Sequence, residues 1–136
     1  MPARHIELGR SGEDAAAGFL ASKGWRVLAR NWRQGGLELD IVCEEPGVPP
    51  TLVFVEVKTR GPGSLGSPSD GLGPAKQKRL ARGASLYLSA AGNWSQPCRF
   101  DLVSVWKTEA GYELEHVEDA FRPAAVGGGD ADWQPW

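Results

Sequence analysis

Leu52-Val53-Phe54-Val55-Glu56-Val57-Lys58 is an apolar, largely β-branched run interrupted by a carboxylate and an ammonium two residues apart. Such a run predicts a buried strand, whose period of two sends Phe54, Glu56 and Lys58 to one face and Val53, Val55 and Val57 to the other. Burying either charge without a partner costs on the order of several kcal/mol. The stretch therefore predicts a metal ion, a mutual pair or a polar cleft beside it.

The preceding segment, Leu37-Glu38-Leu39-Asp40-Ile41-Val42, carries acids inside another apolar strand pattern. Its alternation predicts Glu38, Asp40 and Val42 on one face and Leu37, Leu39 and Ile41 on the other. The linker Glu44-Glu45-Pro46-Gly47-Val48-Pro49-Pro50 is short and rich in turn formers, which favours an antiparallel hairpin. In the right register Asp40, Glu56 and Lys58 converge.

Working outward, Trp25 to Trp32 reads as a strand that Gln34-Gly35-Gly36 turns into the acidic one, giving a three-stranded meander. Upstream, Ser11 and Asp14 resemble a capping box opening a helix through about Lys23, with Gly24 placed to end it. Glu13, Ala16, Ala17 and Leu20 share one helical stripe, so the Glu13 carboxylate sits at the end of the apolar face, from which it can reach the sheet. The plainer role for Glu13 is placement near the positive end of the helix dipole.

Downstream of Arg60, residues 61–73 are too rich in Gly, Pro and Ser for regular structure and predict a mobile loop. Pro74 suits the first turn of a second helix running to about Ser89, with Leu80, Ala84, Tyr87 and Leu88 facing inward. Cys98 to Trp106 forms a further strand, and the order strand, helix, strand predicts parallel pairing through a right-handed crossover. Tyr112 to Val117 reads as an edge strand. The expected organisation is one domain, 1–122, and a flexible C-terminal tail, 123–136.

At 136 residues, 41% of them hydrophobic, the chain fits one soluble domain with a single sizeable core. No stretch approaches the roughly 18 apolar residues of a membrane span, and the start Met1-Pro2-Ala3-Arg4-His5-Ile6-Glu7 lacks the apolar core of a signal peptide, so the expected location is cytoplasmic. Cys43 and Cys98 lack metal-type spacing and fall in or beside predicted strands, which makes them reduced core residues. A net charge of −2 does not advertise nucleic-acid binding. The distribution matters more: Lys76, Lys78, Arg79 and Arg82 form one basic cluster and Arg26, Arg30 and Arg33 another, either phosphate-binding stripes or solvated faces.

Asp40 and Glu56 are hard oxygen donors suited to Mg²⁺ or Mn²⁺, which bind through one or two carboxylates plus water and substrate phosphate. Such a cation polarises a phosphoryl oxygen and lowers the pKa of bound water, while Lys58 is placed to orient the water or stabilise charge on the phosphate. In outline this is a site for phosphodiester hydrolysis.

Asp40 followed by Glu56-Val57-Lys58 resembles the PD-(D/E)xK nuclease superfamily, and the finer pattern resembles the YraN family of predicted endonucleases, distantly related to archaeal Holliday junction resolvases. The resemblance covers nearly the whole chain to Phe121. It includes Gly12-Glu13-Asp14-Ala15-Ala16, Gly24-Trp25, Asn31-Trp32-Arg33, Glu38-Leu39-Asp40-Ile41-Val42 and Val53 to Arg60. It continues through Lys76-Gln77-Lys78-Arg79-Leu80, Arg99-Phe100-Asp101-Leu102-Val103 and Ala120-Phe121. It implies a restriction endonuclease-like α/β fold, a three-layer α/β/α core around a central mixed five-stranded sheet. It further implies Asp40, Glu56 and Glu13 at an Mg²⁺ or Mn²⁺ site and Lys58 as the catalytic lysine. Arg33, Arg60, Lys76, Lys78 and Arg79 would contact nucleic acid, with DNA the expected partner and branched or processed structures the expected substrate. Glu38 matches the acid of the Gly-Glu-hydrophobic-Asp motif, and Leu37 stands where that motif usually has glycine, a change that fits an ordinary strand.

Two other readings remain open. The chain is then a nuclease-like fold that docks on nucleic acid or protein without cutting, or Glu56 with Lys58 and Asp40 with Arg60 are structural pairs. Cutting two strands symmetrically would suit a homodimer.

Overall fold

The computed structural model describes residues 8–60 and 72–123. Residues 61–71 of the expected mobile loop 61–73, and residues 124–136 of the expected tail 123–136, lie outside the described residues. Seven elements follow in order: α1 (Leu8–Ser22), β1 (Arg26–Gln34), β2 (Leu37–Glu45), β3 (Thr51–Arg60), α2 (Pro74–Ala91), β4 (Cys98–Thr108) and β5 (Gly111–Val117). The first helix begins three residues before the expected Ser11 cap.

The five strands form one sheet in the order β1-β2-β3-β4-β5, antiparallel throughout except for the parallel β3–β4 pair that α2 connects. This is the expected meander, crossover and edge strand. The β1–β2 turn places Gly35 and Gly36 at φ 59° and 79°, the left-handed pair that a tight hairpin demands and that side chains resist. Pro74 starts α2, and Gly92 at φ 66° closes it by donating its N–H to Leu88 O.

One helix covers each face. Under α1, Ala16, Leu20 and Trp25 pack on Ile41, Cys43, Val53, Val55, Val103 and Val105. Under α2, Leu80, Ala84 and Leu88 pack on Leu39, Val42, Leu52, Phe54 and Phe100, with Tyr87 against the edge of this cluster. The alternation along β3 is as read: Val53 and Val55 enter one core, Leu52 and Phe54 the other. Cys43 and Cys98 are free thiols in opposite layers. Among the described residues no helix is long and apolar enough to cross a membrane.

Strand β2 departs from simple alternation. Leu39 and Val42, three residues apart, both pack under α2, whereas Ile41 packs under α1. The inversion falls at Asp40. On the neighbouring strand the ladder pairs Arg30 with Ile41 and Trp32 with Leu39, passing over Asn31, which adopts a left-handed conformation at φ 51°. Asparagine is among the few side chains that tolerate this region, and its kink turns both strands over together.

Candidate metal and phosphodiester site

The β2–β3 ladder ends at the Ile41–Val55 pair. Beyond it the strands part, and the next available amide, Val57 N–H, donates instead to Asp40 Oδ2 at 2.9 Å. The phase inversion in β2 makes this substitution of a side chain for a backbone rung possible. Strand β3 then presents Glu56 on the α2 face beside the fork. The Asp40 and Glu56 carboxyls share a hydrogen bond.

Asp40 is pushed from its ordinary 3.8 to about 7, first by burial, then by the Glu56 charge, against the opposing Val57 hydrogen bond; Glu38 adds a smaller repulsion. Glu13 reaches the same fork from α1. Burial and the Asp40 charge raise its pKa, while a hydrogen bond to the Asn31 side chain and the charge of Arg30 oppose them. Gly12 makes this approach possible: a Cβ there would overlap the Thr59 side chain of β3. Two helical residues, Gly12 and Glu13, thus fix how closely α1 lies on the strand that carries Glu56.

A small cleft of about 80 Å³ opens on the α2 side, lined by Glu38, Asp40, Glu56, Lys76 and Arg79 over Leu37 and Leu80. Lys76 Nζ lies 3.0 Å from Glu56 Oε2. The alternative reading that paired Glu56 with Lys58 is not met: the cation on Glu56 comes from the first turn of α2. Lys58 follows Glu56 along the same strand face, about 7 Å away by strand geometry, but it is exposed and does not line the cleft. Lys58 makes no ion pair with any described residue.

The expected nucleic-acid contacts are spread around this opening. Arg33 reaches Glu38 at 3.4 Å, Arg79 borders the cleft, and Lys78 is exposed on the same turn of α2. Arg60 ends β3 with its guanidinium 5.8 Å from the Trp106 ring. Arg30 holds Asp14 of α1 at 2.7 Å. Asn31, Val57 N–H and the Lys76–Glu56 contact were not predicted; an asparagine inside an otherwise strand-like run was the one signal for the first.

Among the described residues no three His, Cys, Asp or Glu side chains close into a ready-made metal cage. The donor set nevertheless fits a hard divalent cation. One of two hydrogen-bonded carboxyls is held back from ionising, a state that a cation between them relieves, and Mg²⁺ needs only one or two protein carboxylates with water completing its shell.

A second polar centre lies on the α1 face. Asp101, fully buried, accepts from Arg99 Nε at 2.8 Å and Nη2 at 2.9 Å, from His116 Nε2 at 2.8 Å and from Asp119 N–H at 3.0 Å. Lys23 donates to His116 Nδ1 at 2.8 Å, which leaves Nε2 as the nitrogen that donates to Asp101. Burial alone would raise the Asp101 pKa, but the hydrogen bonds from His116, Arg99 and Asp119 hold it below its ordinary value. The network ties β4 to β5 and α1 and is structural. A larger cavity of about 350 Å³, lined by Thr51, Cys98, Arg99 and Phe121 among others, lies at the far end of β3 and β4 and contains none of the expected site residues.

Comparison with known proteins adds a family. Residues 12–105 match the model of the uncharacterised protein family UPF0102, a span that contains every site residue above. A UPF0102 protein of Nitratidesulfovibrio vulgaris is 53% identical over 137 aligned residues, covering 100% of this chain and 99% of its own. One from Lawsonia intracellularis is 40% identical over 134, covering 98% and 99%. One from Symbiobacterium thermophilum is 50% identical over 98, covering 72% and 80%.

Proposed function

We propose that this chain, which belongs to the uncharacterised protein family UPF0102, is a divalent-metal-dependent phosphodiesterase, an endonuclease acting on DNA, with branched or processed structures as its substrate. The observation that carries the reading is the Asp40–Glu56 carboxyl pair at the sheet fork, with Asp40 held by Val57 N–H and pushed up to about 7. A structural ion pair would lower an aspartate's pKa; a pair of like groups raised in this way is the signature of a site prepared for a cation or a proton.

Asp40 and Glu56 would hold Mg²⁺ or Mn²⁺ directly, with Glu13 positioned to act through a water. The cation would supply polarisation of the phosphoryl oxygen and acidification of the attacking water. The chain's own residues divide the remaining work. Val57 N–H fixes which Asp40 oxygen faces the cleft. Asn31 orients Glu13. Lys76 and Arg79 set a cationic wall against which a phosphate anion is retained, and Lys58, one strand repeat beyond Glu56, is placed to accept a proton from water or to neutralise charge on the phosphate.

Calorimetric titration of Mn²⁺ into wild type, Asp40→Asn and Glu56→Gln, followed by incubation with branched and linear DNA, tests the proposal. Metal binding by wild type and not by either variant is expected, with cleavage by wild type only. Unchanged Mn²⁺ affinity in both variants would refute the site. Lys58→Ala should keep its metal and lose cleavage.

The exposure of Lys58 outside the cleft favours one second reading, a module that grips nucleic acid without cutting it. Metal binding and salt-sensitive DNA binding with no cleavage of any substrate would be its result.

A further inference from the structure

We infer that Lys76 is a resident counter-ion of the acidic pair, one that a divalent cation must displace from Glu56, so that loading of the site and release of a lysine from the first turn of α2 are a single event. The inference rests on the metal-dependent reading above and says how that site is regulated.

The Glu56 side chain is only 11% exposed, and Lys76, 43% exposed, meets it at 3.0 Å. A carboxylate so enclosed requires a cationic partner. The strand itself offers Lys58, yet the contact comes from the helix. Helix electrostatics do not explain that choice, because an ammonium in a first turn faces the positive end of the dipole and is disfavoured there. Glu56 therefore draws Lys76 into place.

The same contact obstructs a metal. Mg²⁺ and Mn²⁺ bind carboxylate oxygen at about 2.1 Å, and an ammonium on that carboxylate would stand within a few ångströms of the ion with like charge. Lys76 has a long, half-exposed stem and can turn to solvent. Its departure removes the repulsion and leaves an unpaired ammonium at the rim of the cleft, beside Arg79. A cationic contact for a polyanion thus becomes available only in the loaded protein.

Mn²⁺ titration of the full chain at fixed pH and ionic strength tests this with four variants. Lys76→Met and Lys76→Gln should each bind Mn²⁺ about three- to tenfold more tightly than wild type, the range expected when a partly exposed ion pair and one like charge are removed. Lys76→Arg should stay within about twofold of wild type because it retains the counter-ion. Lys78→Met, which removes the same charge from the same helix turn outside the cleft, should also change affinity less than about twofold. Unchanged or weaker binding by Lys76→Met and Lys76→Gln overturns the inference, as does equal tightening by Lys78→Met, which would mean a general charge effect. Tightening by both Lys76→Met and Lys76→Gln, with Lys76→Arg and Lys78→Met close to wild type, supports it. Absence of Mn²⁺ binding from wild type and every variant refutes the metal reading itself and the inference with it.

Discussion

Replacing Asp40 by Asn should stabilise the metal-free protein, and the gain should depend on pH. Asp40 rises from its ordinary 3.8 to about 7 in the folded chain because burial and the Glu56 charge disfavour its ionised form. A raised carboxyl pKa means that the folded state holds its proton longer than the unfolded state. Below about pH 3 both states are protonated and the group costs nothing; as pH rises through 3.8 and up to about 7 the unfolded state gains from ionisation that the folded state cannot match. A displacement of about three pK units corresponds to about 4 kcal/mol at 1.36 kcal/mol per unit, and solvent at the mouth of the cleft reduces this to about 2–4 kcal/mol. Asparagine keeps an oxygen for Val57 N–H and does not titrate, so the variant isolates the charge. Urea unfolding in chelator at pH 3, 6 and 8 should show a difference near zero at the lowest pH, growing to about 2–4 kcal/mol in favour of Asp40→Asn at the highest. In melting temperature that is about 6–12 °C for a domain of this size. Mn²⁺ should then rescue wild type at pH 8 and leave the variant unmoved. A variant no more stable than wild type at pH 8, or an offset that is the same at every pH, would refute the reasoning.

Asp101 carries the opposite sign. Its depressed pKa contributes stability that is present above about pH 4 and lost as pH falls through the folded value, so Asp101→Ala should cost about 3–5 kcal/mol at neutral pH and flatten the acid limb of a urea-midpoint profile. Gly12→Ala should destabilise by about 1–3 kcal/mol, because α1 must lift away from Thr59, and should weaken Mn²⁺ binding by withdrawing Glu13; a variant with wild-type melting temperature and metal affinity would show that the close approach does not position the site. Burial pushes both thiols up to about 12, so Cys43 and Cys98 should react with a thiol reagent at pH 8 much more slowly in native protein than in urea, Cys43 being slower because it is fully buried. Equal native and denatured rates would contradict their placement in the two cores.

Much of this architecture is readable along the chain because local pattern and tertiary burial agree. The alternation of β3 separates two cores, Pro74 opens α2, whose expected end near Ser89 falls two residues short of Ala91, and a helix between two strands implies the parallel β3–β4 pair. Period-two reading fails at Asp40, where a left-handed Asn31 on the neighbouring strand inverts both strands; one chain read alone does not reveal a kink that two strands share. The acidic members of the site were identifiable because acids inside apolar strands are expensive. The partner of Glu56 was not, since Lys58 and Lys76 are equivalent in composition and only the approach of α2 selects between them. His116 was equally hidden: its role comes from the β4–β5 register, which sets it opposite Val103 and within reach of Asp101 and Lys23.

The side-chain rung between Asp40 and Val57 also gives the protein a spectroscopic handle. In an ordinary ladder an amide proton reports only on the sheet. Here one backbone resonance, that of Val57, faces a titrating carboxylate, so its chemical shift follows the charge on Asp40 and, on the metal-binding reading, the arrival of a cation. Its hydrogen-exchange rate measures how often the fork opens. Protonation, occupancy and local breathing of the cleft thus become observable at one atom, without a label or a substitution in the site.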